Sequence, residues 1–262
     1  MYLVYFLVSL LASVIGGICG IGGGVIIKPV LDATGTMSVA SVSFLSGCTV
    51  LSMSLISVFR NQKSNKGIVD LKSCTPLAIG AVIGGLFGKV IFDFLLQLFE
   101  NQNHLGAVQA ALLILVTFGT LLYSLNAKKI KTKKIESAAI SIIIGFGLGT
   151  ISSFLGIGGG PINLTVLFFF FSMTTKKAAA NSLYIIMFSQ LSSFIQSVLK
   201  GNIPEISFIV LGLMVFAGVV GGMIGGHVNK KISDNVVDKL FIGLMVVIIG
   251  INIFNMVKFL VI

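Results

Sequence analysis

Read for apolar and polar positions, the chain is a series of long hydrophobic tracts divided by short polar loops. A helix needs ~20 apolar residues to cross ~30 Å of hydrocarbon. Six uninterrupted tracts meet that length: Thr36–Phe59, Cys74–Phe99, Leu105–Leu125, Ala178–Leu199, Pro204–His227 and Asn235–Leu260. Two longer tracts, Met1–Leu31 and Glu136–Ser172, are broken by glycines in their middles, as GGICGIGGGVIIKPV (Gly16–Val30) and FLGIGGGPINL (Phe154–Leu164). The pattern predicts an all-α polytopic membrane protein, with residues 1–262 forming one domain.

Composition agrees. Hydrophobic residues make up 56% of the 262 positions and charged residues 10%, against about a quarter charged in soluble domains; the mean hydropathy is +1.08. The net charge of +10 raises nucleic acid as a partner. The basic residues sit in the short loops, however, where cytoplasmic retention and anionic headgroups explain them. Lipid, and not nucleic acid, is the expected surroundings. The N-terminal apolar run lacks a preceding basic residue and a small-residue cleavage site, so it is expected to remain in the mature protein. Cys19, Cys48 and Cys74 are odd in number and widely spaced, which argues against a disulfide framework. No metal-ligand spacing appears, and no cofactor is predicted.

Landmarks recur. Gly22-Gly23-Gly24 matches Gly158-Gly159-Gly160 at an offset of 136. A row of glycines four apart, Gly80, Gly84 and Gly88, matches Gly218, Gly222 and Gly226 at 138, and Ser43-Phe44 parallels Ser182-Leu183. The expected organisation is a repeat over 1–126, a linker AKKIKTKK (Ala127–Lys134) and a second repeat over 135–262. Glycines four apart share a helix face and let backbones approach closely in lipid, so both rows are read as helix seams.

Orientation follows from charge. With eight full spans the halves run parallel, and eleven basic loop residues lie inside against six outside. If each broken tract is a hairpin that enters and leaves by one face, each half has three full spans and the second half is inverted. Fourteen basic residues then lie inside and only Lys28, Lys200 and Lys258 outside. The positive-inside bias favours inverted repeats with both termini outside.

Non-helical backbone in hydrocarbon leaves N–H and C=O groups unpaired at several kcal/mol each, and survives only inside protein or beside a wet cavity. Broken helices at matching places in two halves point to a transporter's central site. Half-helix N-termini present free N–H groups and partial positive charge to an anion, and Pro161 suits a first helical turn. A dinucleotide fingerprint is excluded, because Val25 stands where the last glycine belongs and no strand precedes it.

The string G-x-G-G-G with its following Pro and apolar residues, then SVASVSFLSG (Ser38–Gly47), resembles the TauE/SafE sulfite-exporter family, also called the four-toluene-sulfonate-uptake permease family. The second copy, GIGGGPINLTVLFFFFSMTTKKAAANSL, is similar to that family's second motif. The turns KGIVD (Lys66–Asp70) and KGNIPE (Lys200–Glu205) are similar to it too. The resemblance covers nearly the whole chain. It implies a transporter of small anions, often sulfur-containing ones such as sulfite or organosulfonates.

The expected substrate-binding residues are Gly22, Gly23, Gly24, Gly158, Gly159 and Gly160 at the breaks. Ser43, Asn181 and Ser182 join them at the family's position after the motif, and Asn163 just beyond Pro161. The remaining hydroxyls of these spans, Ser46, Ser54, Ser57, Ser189 and Ser193 among them, are read mainly as bonding their own helix. Lys28 is read as reaching for the membrane surface. Every acid except Asp93 is placed in a loop or at a tract end, which disfavours a cation carrier. His104 and His227 lie at tract ends, leaving no base for a buried nucleophile; no catalytic residue is predicted, and the chain is not read as an enzyme. Two hypotheses stand: a secondary transporter of a small anion between the two GIGGG breaks, and a membrane sulfur-relay component using Cys19 with a cytosolic partner. Association of like copies is left open.

Overall fold

The computed structural model describes residues 1–64, 69–99 and 101–261. Those residues form ten α-helices: α1 Tyr2–Cys19, α2 Gly24–Thr34, α3 Val39–Ser64, α4 Leu71–Leu98, α5 Gln102–Asn126, α6 Ala138–Leu155, α7 Pro161–Phe171, α8 Thr175–Leu199, α9 Phe208–Lys231 and α10 Asp234–Val261. A single 3-10 turn, Ala127–Lys129, opens the linker. Eight of the helices are long and apolar enough to cross a membrane; α2 and α7, with 11 residues each, are not. Lys66 to Ile68 of the KGIVD turn, and Glu100, lie outside the described residues.

Local chemistry sets the ends. α1 and α6 both stop at a glycine in the left-handed conformation, Gly20 (φ 77°) and Gly156 (φ 64°), where a side chain would be strained. The Asp70 carboxylate caps α4 through the Ser73 N–H, and Asn101 caps α5 through the Asn103 N–H at 2.9 Å. Pro161 occupies the first turn of α7, as expected.

Each glycine break is a hairpin. The Tyr5 hydroxyl, near the start of α1, donates to Thr36 Oγ1 just past the end of α2 at 2.9 Å. In the other hairpin the segment before α6 pairs with the end of α7: Lys133 N–H donates to the Phe169 carbonyl at 2.7 Å and Ile135 N–H to Phe170 at 2.9 Å. The outgoing arms have 18 residues and the returning arms 11. That is ~27 Å against ~16 Å at 1.5 Å per residue, so each turn lies deep and each return arm starts deep.

Packing between early and late helices is reciprocal. α1 lies along α9 and α6 along α4, while α3 crosses α8 and α5 pairs with α10. Gly80, Gly84 and Gly88 give α4 its close approach to Ile142, Phe146 and Thr150 of α6. The second glycine row differs from expectation. Gly218 and Gly222 face Thr49, Ser52 and Met53 of α3, whereas the approach to α1 uses Gly221 and Gly225. Gly226 meets nothing within 4 Å. α9 carries two overlapping small-residue faces, and only the neighbours decide which face meets which helix.

The bundle is apolar outside and polar within. Phe87, Phe118, Ile143, Phe216 and Phe254 are exposed, while Asn163, Asn181, Ser182, Gln109, Asn252 and Asn255 are buried; that is the arrangement hydrocarbon requires. α3 and α8 are the most buried of the long helices. One end of the bundle joins the end of α3 to α9 (Arg60 to the Met223 carbonyl, 2.7 Å) and the starts of α4, α8 and α10 to one another (Lys177 to Asp70, Thr175 to Asp238). This end holds Arg60, Lys63, Lys72, Lys176, Lys177, Lys230, Lys231 and Lys239, and is called the basic face below. At the opposite end Ser41 bonds the Glu205 carbonyl, and Phe259 packs on Val39 and Ala107.

Candidate functional site

The two glycine loops touch where α3 crosses α8. A Cβ on Gly22 would lie 3.6 Å from the Gly158 carbonyl oxygen, and one on Gly24 would overlap the Ile157 carbonyl group. Val50 of α3 lies against both Gly22 and Gly158, and Ile186 of α8 against both Gly22 and Gly159. Val50 and Ile186 are fully buried and stand 136 positions apart, the offset of the two breaks. The centre of the crossing is therefore an apolar seal between glycine backbones.

Space lined by both polar and apolar side chains lies on either side of the seal, with Phe44, Phe92 and Phe194 among the apolar ones. A cavity of about 40 Å³ on the side of the opposite face is lined by Ser43, Gly47, Ser153, Gly156, Gln190, Ser193 and Ser197, with Lys89 at its edge. A second cavity, about 260 Å³, opens on the basic face between Gly17, Ser57, Asn61, Lys176, Ala179, Leu183, Asn229 and Lys230. The linings correspond at 136: Gly17 with Ser153, Ser57 with Ser193, Asn61 with Ser197, Ala179 with Ser43, and Leu183 with Gly47. A left-handed glycine adjoins each: Gly156 against Ser43 and Gly20 against Ala179.

Among the residues expected to bind substrate, Ser43 lines the smaller cavity. Gly22 to Gly24 and Gly158 to Gly160 form the loops at the seal and line neither cavity. The backbones of the two loops differ: Gly158, Gly159 and Gly160 have φ of 71°, 137° and 124°, whereas in the first loop only Gly20 and Gly22 are positive and Gly23 is helical at −72°. Asn163 is 2% exposed; its Nδ2 faces Gly159, and its Oδ1 is without a hydrogen bond. Asn181 ties α8 to the start of α4, accepting from the Asp70 N–H and the Cys74 thiol at 2.9 Å each. Its amide is engaged in structure.

Ser182 is fully buried with an unpartnered hydroxyl, and so is Ser46. These two share a position at 136; the residue matching Ser43 is Ala179, where the sequence parallel had paired Ser43 with Ser182. Ser43 and Ser46 stand three residues apart in α3 and only Ser182 answers them in α8, so the sequence left the register open, and the glycine turns settle it. Ser54, Ser57 and Ser193 do bond carbonyls of their own helices, as does Ser197, whereas the Ser189 hydroxyl, like that of Ser46, is without a partner. Gln190 was missed: it is 5% exposed, and its carboxamide stands between Gly47 and Gly158 on the cavity wall. A carboxamide in the middle of an apolar span was the available signal.

Two expectations are overturned at α2. Lys28 does not reach the surface: it is 3% exposed and donates to Asp32 at 2.7 Å. Asp32, expected at a tract end, is 7% exposed inside the returning arm. Because α2 is short and pressed between α3 and α10, neither side chain faces a surface. Cys19 is also buried, as the last residue of α1; its counterpart is the equally buried Leu155.

A bundle of long apolar helices with polar residues inside, two deep broken hairpins meeting at its centre and cavities on either side defines a multi-pass membrane transporter. The comparisons place it further. The chain belongs to the TauE/SafE sulfite exporter family, whose model matches residues 5–253. It is 22% identical over 223 residues to the "Probable membrane transporter protein YunE" of Bacillus subtilis (strain 168), across 77% of this chain and 80% of that protein. No solved structure matches the chain. Both descriptions are of membrane transport.

Proposed function

We propose that the protein is a secondary transporter of a small, sulfur-containing anion such as sulfite, thiosulfate or an organosulfonate, working by alternating access across the two GIGGG breaks. The observation that carries this reading is the pair of cavities with corresponding linings on either side of one apolar seal. In a molecule built from two inverted repeats, rocking one unit against the other exchanges their shapes. The form described here has its wider cavity toward the basic face. Lys176 and Lys230 line that cavity beside the carboxamides of Asn61 and Asn229, a donor set suited to oxyanions and not to cations. As the seal opens, the anion would meet the free N–H groups at the starts of α2 and α7, with Asn163, Ser46 and Ser182 as further polar partners.

In this reading residues 1–126 and 135–262 are the repeats, and the basic face is cytoplasmic. The hairpin geometry supports three full crossings per half, with both termini on the outer side. A C-terminal alkaline phosphatase fusion is then active and a green fluorescent protein fusion dark; the reverse pair of results removes the inverted arrangement. The transport reading is tested with radiolabelled sulfite, thiosulfate and methanesulfonate in proteoliposomes. Saturable flux of at least one is expected, and absence of flux for all three would overturn it. The sulfur-relay alternative is not favoured, because a relay thiol has to meet its partner and Cys19 is enclosed.

A further inference from the structure

The Lys28–Asp32 pair lines neither of the two cavities described above. A buried ion pair in a membrane helix is a weak source of stability, since desolvating two charges offsets their attraction and apolar replacements are often neutral or better. An intramembrane ionisable pair therefore points to function. Its setting in the fold is specific. The pair sits in the returning arm α2, one turn beyond Gly24. Gln109 of α5 and Asn252 of α10 share a cavity of about 10 Å³ with it, roughly the room one water requires.

The polar neighbours are tied to both hairpins. Gln109 Nε2 donates to the Phe154 carbonyl at 2.6 Å, two residues before the Gly156 turn, and its Oε1 is without a partner. Asn255 Nδ2 donates to the Pro29 carbonyl at 2.7 Å, and its Oδ1 is likewise unpartnered. The other titratable groups facing α2 are Lys258 of α10, whose ammonium bonds the Ala33 carbonyl at 3.0 Å, and Tyr5 of α1, whose hydroxyl bonds Thr36. The second hairpin has no such pair: the positions 136 further on are Leu164 and Phe168. One arm of an otherwise corresponding pair thus carries the charge.

We propose that Lys28 and Asp32 form the proton-coupling site of the transporter, with Asp32 taking up one proton for each anion carried. The inference rests on the transport reading. In the resting site the ammonium and carboxylate cancel. When a monovalent anion enters at the α2 N-terminus it attracts the ammonium away from Asp32, and the carboxylate is then neutralised by a proton arriving through the small cavity. Lysine and anion balance, Asp32 is uncharged, and the site remains neutral. Release of the anion on the far side returns the ammonium to Asp32 and expels the proton.

The test uses the full-length protein in proteoliposomes with radiolabelled methanesulfonate and thiosulfate, neither of which takes up a proton near neutral pH. A pH gradient, acid on the source side, should drive accumulation of methanesulfonate by the wild type, approaching about tenfold per pH unit for one proton per monoanion. Asp32→Asn should abolish gradient-driven accumulation. So should the charge-free double variant Lys28→Met/Asp32→Leu, which keeps the test valid if Asp32→Asn fails to insert. Accumulation that responds to the gradient equally in wild type and either variant would overturn the coupling site while leaving the transport reading intact. A wild type that carries the anions but ignores the gradient would overturn it as well. A wild type that moves neither these anions nor sulfite would overturn both readings together.

Discussion

The two breaks have the same five residues, Gly-Ile-Gly-Gly-Gly, yet they fold differently. In the first, Gly23 is helical and α2 starts at Gly24. In the second, Gly158, Gly159 and Gly160 all take positive φ, and α7 starts one position later at Pro161. The residue after the string accounts for this. Proline disfavours the helical region for its predecessor, so Gly160 is held out of the helix and Gly159 must compensate; Val25 imposes no such demand. The arms that follow differ too, since α2 carries a buried ion pair where α7 is apolar from Leu164 to Phe171 apart from Thr165. A motif shared by two halves therefore specifies a turn, and its flanks decide what the turn presents.

The sharpest way to break this comparison is to substitute equivalent glycines. Gly159→Val places a β-branched side chain at φ 137°, with its Cβ 2.5 Å from Ile186. Normal membrane insertion with complete loss of anion flux is expected. Flux at the wild-type level would show that this loop is packing alone. The milder pair, Gly159→Ala and Gly23→Ala, sets a position that is both at positive φ and crowded by Ile186 against a helical one. The former should cost about 1–3 kcal/mol, whereas Gly23 is helical and its Cβ would meet Ser13 at 3.2 Å, for a cost below about 1 kcal/mol. Thermal unfolding in detergent reads the difference, and equal losses would remove the conformational distinction.

A second comparison concerns Ser46 and Ser182, whose buried hydroxyls lack partners in this conformation. Removing an unsatisfied hydroxyl should leave stability unchanged or raise it by about 1 kcal/mol. If both meet the anion as the seal opens, each alanine variant should weaken apparent affinity by about tenfold, the effect of losing one bond to a charged group. Loss in one variant alone would place the anion in one half. Unchanged affinity in both would remove them from the path.

Pro161→Val sharpens the flank argument. It should relax Gly160 toward the Gly24 conformation at a cost of about 0.4–1 kcal/mol from the freer unfolded chain, and reduce flux only modestly. Abolished flux would mean that the proline-set loop geometry is itself required. The smallest effect is expected for Cys19→Ser, a fully buried position matched by Leu155, with flux retained. A loss of flux together with normal thermal stability would return the thiol to the mechanism.

Much of the membrane architecture was legible because hydrocarbon imposes it along the chain. Tract lengths gave the long helices, and glycines interrupting apolar tracts marked deep turns before any contact was known. The depth at which each return arm begins follows from helix ends fixed only in the fold, 18 residues out and 11 back. Nor were the relations between tracts legible. Gly218 and Gly221 are both small residues on one helix, and only the neighbours decide that one meets α3 and the other α1. Lys28 reads as a surface lysine because the sequence shows its short distance to a tract end and not the helices that cover it. Gln190 joins the site because a loop 32 residues earlier in the chain folds against it. By itself the sequence determined which segments enter the bilayer and where they break, since each segment meets lipid independently. Which side chains share the interior was decided by tertiary packing alone, because burial of a polar group depends on partners the chain brings from other helices.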